Sequence, residues 1–120
     1  MSGPEERDTP WAAVAGVIQD GYSVVINRGS RDGLKQGQKF LIYEISPVEM
    51  LDPISGESLG HLEIVKGTGV ISHLQERMAT ITSDRRRSRR VKWFLGSEEE
   101  VETEPQPFRS PKIGDRAKPI

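Results

Sequence analysis

Gly29-Ser30-Arg31-Asp32-Gly33-Leu34-Lys35-Gln36-Gly37-Gln38 runs directly into Lys39-Phe40-Leu41-Ile42-Tyr43. Glycine recurs every four residues, polar side chains fill the gaps, and a burst of β-formers follows. Glycine supplies backbone angles that other residues adopt only at a cost. The stretch therefore reads as two tight bends that launch a strand. Gly29, Gly33 and Gly37 are assigned structural turn roles, and the fold they imply is small, strongly bent and all-β.

Upstream, Trp11 to Ile18 is a candidate strand, Gln19-Asp20-Gly21 a turn, and Tyr22 to Asn27 a second strand. Asp-Gly between two apolar runs is a hairpin signal. Lys39 to Ile45 is the third strand. It is apolar on both faces, with Phe40 and Ile42 against Leu41, Tyr43 and Ile45, which predicts a central strand covered on both sides. Asp52-Pro53-Ile54-Ser55-Gly56-Glu57 is a loop, with Asp52, Pro53 and Gly56 as its turn residues. Ser58 to Lys66 and Gly69 to Gln75 read as a fourth and a fifth strand joined by a bend at Gly67-Thr68-Gly69. An antiparallel pairing that puts Leu62, Ile64, Val70 and Leu74 inward puts His61, Glu63, His73 and Gln75 outward. Met78 to Ser83 is a short sixth strand.

The pattern then breaks. Residues 84–112 hold Arg85-Arg86-Arg87-Ser88-Arg89-Arg90, then Val91-Lys92-Trp93-Phe94-Leu95, then the glutamates 98, 99, 100, 102 and 104 and a Pro-rich stretch. Ile113-Gly114-Asp115-Arg116-Ala117-Lys118 echoes Gln36-Gly37-Gln38-Lys39-Phe40 and reads as the closing strand. The expectation is an all-β, small six- or seven-stranded antiparallel barrel with a charged insertion before the last strand. Residues 1–10 form a disordered N-terminal arm. Residues 11–118 form a single β-barrel domain with a charged excursion at 84–112.

The chain has 120 residues, 34% of them hydrophobic and 29% charged, with a net charge of −1. One modest core is expected, and no global field to recruit nucleic acid or an anionic membrane. With no cysteine, disulfides and thiolate metal sites are excluded. The polar N-terminus carries no secretory signal and no apolar run reaches membrane-helix length. The expected location is cytoplasmic by default, or periplasmic if a leader has been removed.

Gly16-x-Val, Val25-Ile26-Asn27-x-Gly29, Asp32-Gly33-Leu34-Lys35-x-Gly37, Asp52-Pro53-x-Ser55-Gly56-Glu57-x-Leu59-Gly60 and Ile113-Gly114-Asp115 together form a spaced motif set. It resembles the C-terminal β-barrel domain of the flagellar assembly protein T family, over residues 11–83 and 113–118. The resemblance implies a non-enzymatic bacterial assembly or protein-interaction module of the flagellar or envelope kind.

Candidate chemistry is sparse. The glycine run lacks the G-x-x-x-x-G-K-[ST] spacing of a phosphate loop, and a strand rather than a helix follows it. Asp52, Ser55 and Glu57 put oxygens on one loop, which is calcium chemistry only at a greater density of acids. His61, Glu63 and His73 fall on one face and are zinc-type ligands, but that face is read as solvated. There is no nucleophile elbow and no buried carboxylate pair. No catalytic residue, metal or cofactor is assigned. The basic run with its aromatics, Arg85, Arg86, Arg87, Arg89, Arg90, Lys92, Trp93 and Phe94, is the candidate partner contact. A protein partner or self-association is expected. The alternative is an OB-like or SH3-like nucleic-acid binder using Arg85 to Lys92; five following glutamates weigh against it.

Overall fold

The computed structural model describes residues 11–92 and 99–120. The N-terminal arm and the Trp93–Phe94 pair lie outside the described residues. Eight strands follow in order: β1 (Ala12–Ile18), β2 (Ser23–Ile26), β3 (Lys39–Leu51), β4 (Ser58–Leu74), β5 (Ala79–Ser83), β6 (Arg86–Lys92), β7 (Glu99–Pro105) and β8 (Arg116–Pro119). Six of them close an antiparallel barrel in the order β1-β2-β5-β4-β3-β8, while β6 and β7 pair with each other as a separate ribbon. Closure runs through β8, which pairs with β1 on one side and with β3 on the other. The core is filled by Val14, Val24, Ile26, Phe40, Ile42, Ile71, Ile81 and Phe108, all buried.

The glycine-rich stretch bends as its composition demands. Ser30–Asp32 is a single 3-10 turn, and Gly33 follows in the left-handed region at φ 87°. Gly37 sits at φ 82°, and its N–H donates to Ile71 O. Leu34, between the two bends, is buried. Gly29 has a different reason to be glycine. Its φ is −145°, which any residue adopts, but a Cβ there would lie deep inside the van der Waals radii of the Gln75 and Glu76 carbonyls. The closing segment repeats the device: Gly114 at φ 95° precedes β8.

Two expectations need correction. The predicted fourth and fifth strands are one continuous strand, β4, and Gly67-Thr68-Gly69 is not a turn. Those glycines are in the strand interior because neighbours crowd them: a Cβ on Gly69 would meet Thr82 O, Ile81 and Phe108, and one on Gly67 would meet Arg85 and Phe108. The β3–β4 register also slips there. Ile42 faces Gly67 but Tyr43 faces Val65, leaving Lys66 as an extra, bulged residue. The bulge shifts side-chain parity along β4. Ile71 is core and Val70 only half-buried, while Leu62 and Ile64 are exposed because they lie where β4 runs past its last pair with β5; Leu74 does pack against the core.

The second correction concerns the end of the excursion. Phe108 is 2% exposed and belongs to the core, its N–H bonded to Gly21 O, and Arg109 N–H donates to Lys66 O. The charged segment therefore returns to the barrel well before residue 112.

Ile71→Ala should cost about 2–5 kcal/mol, and Ile64→Ala should stay within roughly 1 kcal/mol because half of that side chain already meets water. Urea denaturation of both variants checks this; the reverse order would place residue 64 inside the barrel and residue 71 outside it. In the bends, Gly29→Ala should destabilise by about 1–3 kcal/mol through overpacking. Gly33→Ala, strained but open to solvent, should cost about 1 kcal/mol. Thermal melts of the two variants give the comparison.

Candidate protein-docking arm

β8 pairs with β3 only over Phe40–Tyr43, and β5 pairs with β4 only from Gly69 onward. Beyond those limits β3 and β4 continue as a two-stranded arm, with Ile45 opposite Glu63, Glu49 opposite His61 and Leu51 opposite Ser58. Eight residues of β3, Glu44 to Leu51, extend past the last β8 pair, which is about 25 Å of ribbon. The arm presents Val48, Met50, Leu51, Ile54, Leu59, Leu62, Ile64 and Val65 to solvent, with Ile54 96% and Leu59 68% exposed. Residues 44–65 contain five acids and no Lys or Arg. An apolar and purely acidic ribbon is not a solvated loop in composition; contiguous exposed apolar surface of this kind marks interaction sites.

The tip is a self-contained turn. Asp52 Oδ1 accepts from Ile54 N–H at 2.8 Å and from Ser55 N–H at 3.4 Å, and Gly56 N–H donates to Asp52 O at 2.8 Å. Gly56 takes φ 78°. The backbone donors hold the Asp52 carboxyl below the usual aspartate range. Asp52 Oδ1 is thus committed to its own loop.

At its base the arm is tied to the barrel by charge. The ammonium of Lys66, 4% exposed, lies 3.0 Å from Asp115 Oδ2, 3.0 Å from Oδ1, 3.2 Å from Glu44 Oε2 and 2.9 Å from Ser110 O. Asp115 is 1% exposed, and its other bond comes from Lys112 N–H at 2.8 Å. Lys112 Nζ reaches Glu44 Oε1 at 2.7 Å on the surface side. Lys112, then Lys66, lower the pKa of Glu44 from the ordinary glutamate value, and Glu44 raises that of Lys112. On the arm's flank Lys118 Nζ bonds both Glu63 oxygens, at 2.8 and 2.9 Å, and lies over the Tyr43 ring.

The basic run is organised differently from a free patch. The β6–β7 register sets Arg87 opposite Glu104, Arg89 opposite Glu102 and Lys92 opposite Glu99, with Arg90 opposite Val101 and Arg86 opposite Pro105. Arg85 is turned back to the barrel, donating to Pro107 O. His61, Glu63 and His73 do not converge. His61 Nδ1 bonds Ser46 O, Glu63 bonds Lys118, and His73 pairs with Thr80 across β5. Among the described residues no group of three His, Asp or Glu is spaced to hold a metal ion. No described helix is long and apolar enough to cross a membrane.

Sequence reading missed both the arm and the buried pair. The signal for the arm was available in residues 58–65, where apolar side chains occur at both parities without a single basic residue. Lys66 and Asp115 are 49 residues apart, and no spacing rule links them. Models of known protein families do not match the chain, and comparison with curated proteins finds no significant match.

Asp115→Ala should cost up to about 3–5 kcal/mol, because it leaves the buried ammonium with only the partly exposed Glu44 carboxylate and the Ser110 carbonyl, while Lys66→Met with Asp115→Leu should recover much of that loss. Chemical denaturation of the single and double variants checks this. The lowered Glu44 and Asp52 pKa values contribute stability that is present above their unfolded-state pKa values. That stability is lost as the pH falls through the folded-state values. Melting temperature should therefore drop on acidification through the carboxylate range, and Glu44→Gln should flatten the drop.

Proposed function

We propose that this chain is a non-enzymatic protein-interaction or assembly module that docks its partner on the β3–β4 arm. The observation that carries the reading is the arm itself. A two-stranded ribbon is marginal alone. This one projects from a closed barrel with its large side chains in water and, among the described residues, with no strand paired to its outer edges beyond the barrel limits. A partner that covers those side chains supplies the missing burial. The turn motifs, which resemble the flagellar assembly protein T barrel, support the same class of role in a bacterial envelope or flagellar assembly. The acidic strand β7 supports protein contact over nucleic acid, because its register sets a glutamate opposite Arg87, Arg89 and Lys92.

The test is a pair of tagged proteins: the whole chain and a variant in which residues 47–61 are replaced by Asn-Gly, a two-residue hairpin turn. The whole chain should retain a stoichiometric protein partner or a self-assembly from native lysate, and the shortened one should lose it while keeping a two-state melt. Equal capture by both would overturn the docking role of the arm. Fluorescence anisotropy with single-stranded DNA and RNA tests the alternative. Binding that falls steeply with salt, and that is retained by the shortened variant, would favour the nucleic-acid reading.

A further inference from the structure

We infer that Ser88 is a phosphate-acceptor site for an arginine-directed serine/threonine kinase, and that the β6–β7 register holds it on the one face of the ribbon that accepts the new charge. The inference stands apart from the docking role of the arm. Ser88 sits in Arg85-Arg86-Arg87-Ser88-Arg89-Arg90, with arginine at every neighbouring position on both sides. No other serine or threonine of the chain has a base at both the second and the third position before it. Kinases select substrates by charge patterns of this kind, because carboxylates beside the catalytic groove pair with the bases of the substrate. Ser88 is also reachable. It is exposed, as are Arg86 and Arg87. Its strand is already extended, and it belongs to a ribbon separate from the barrel. A two-stranded ribbon is marginal alone, so it can open locally to enter a groove. Arg85 donates to Pro107 O at the root of the ribbon, and a kinase carboxylate offers it a stronger, charged acceptor.

The register decides what surrounds the phosphate. In an antiparallel pair, directly opposed positions share a face, and so do alternate positions along each strand. Positions Arg87, Arg89 and Val91 therefore share one face with Glu104, Glu102 and Glu100. Positions Arg86, Ser88, Arg90 and Lys92 share the other with Pro105, Thr103, Val101 and Glu99. A phosphate on the first face would enter a row of glutamate positions and be repelled. On the second, Ser88 has an arginine position two residues away on either side and the exposed Thr103 opposite. The one acidic position of that face, Glu99, lies at its far end, opposite Lys92. Phosphoserine brings about −1.5 to −2 charges at neutral pH, which offsets the two arginine positions, 86 and 90, that no glutamate opposes. In the transfer, Ser88 Oγ attacks the γ-phosphorus of Mg-ATP. The new O–P bond forms as the bond to the β–γ bridging oxygen breaks, ADP leaves, and the hydroxyl proton passes to the catalytic aspartate of the kinase.

The test treats the full chain with Mg-ATP and the catalytic subunit of a cyclic-AMP-dependent protein kinase, an arginine-directed enzyme, with an acid-directed kinase in parallel. Intact mass reads the uptake and fragmentation reads the site. Phosphate should appear at Ser88, at least about tenfold faster with the arginine-directed enzyme, and Arg86→Gln with Arg87→Gln should slow it by about tenfold or more. Ser88→Ala should abolish uptake. A synthetic peptide of residues 82–94 is the unfolded reference, and the folded chain should be labelled within about tenfold of its rate, since the ribbon opens locally. In the labelled chain, a phosphorus NMR titration should place the second ionisation of the phosphate below its usual value of about 6, and Arg86→Gln should move it back up. Phosphate at another residue, equal rates with the two kinases, or labelling of the peptide but not of the chain would overturn the inference. So would a titration that Arg86→Gln leaves unchanged.

Discussion

The buried ion pair between Lys66 and Asp115 is the constraint on which the barrel's closure depends. A charge cannot be left unpaired in a protein interior, so each of these groups fixes the other. Lys66 reaches the interior because β4 bulges at that residue. Asp115 reaches it because the bend at Gly114 turns the chain inward just before β8. β8 is only four residues long, yet it is the strand that joins β1 to β3. Four residues of ladder are a weak clasp. The ion pair, the Ser110 carbonyl and the Lys112 N–H hold the segment ahead of β8 in place and bring the strand into register.

The same network sets where the arm begins. Glu44 is the first β3 residue beyond the β8 pairing, and it shares its carboxylate between Lys66, inside, and Lys112, outside. The ribbon is therefore anchored by charge at its root and free of basic residues along its length. Each of its apolar side chains gains little from the barrel, since the barrel ends below them. The arm's surface free energy falls when something covers it.

The chain carries a second two-stranded ribbon, and the contrast is instructive. In β6–β7 the backbone register sets Arg87 opposite Glu104, Arg89 opposite Glu102 and Lys92 opposite Glu99. The β3–β4 arm has no such opposition along its length: Glu44 faces Ile64, Ile45 faces Glu63, Glu49 faces His61, Met50 faces Gly60 and Leu51 faces Ser58. The first ribbon is the louder signal in the sequence, and the second is the one that presents exposed apolar side chains.

Local chemistry is legible in this sequence and parity is not. The bends at Gly33, Gly37 and Gly114, the hairpin at Gln19-Asp20-Gly21 and the Asp52–Gly56 turn are dictated by residues a few positions apart, and each forms where its composition says. The all-β barrel follows from their number and spacing. Gly67 and Gly69 carry the same local signal as a turn, but they answer to Phe108, Arg85 and Thr82, which approach from distant parts of the chain. That crowding, invisible in sequence, accompanies the merging of two expected strands into one; Leu62 and Ile64 lie on the surface because β5 stops pairing with β4 at Gly69. The bends, the strand content and the lack of cysteine thiols can be read from the chain alone, because they depend on residue type and near neighbours. Tertiary structure alone decided the face each β4 side chain presents, the pairing of Lys66 with Asp115, and the existence of a projecting arm, because these depend on where the partner strands stop.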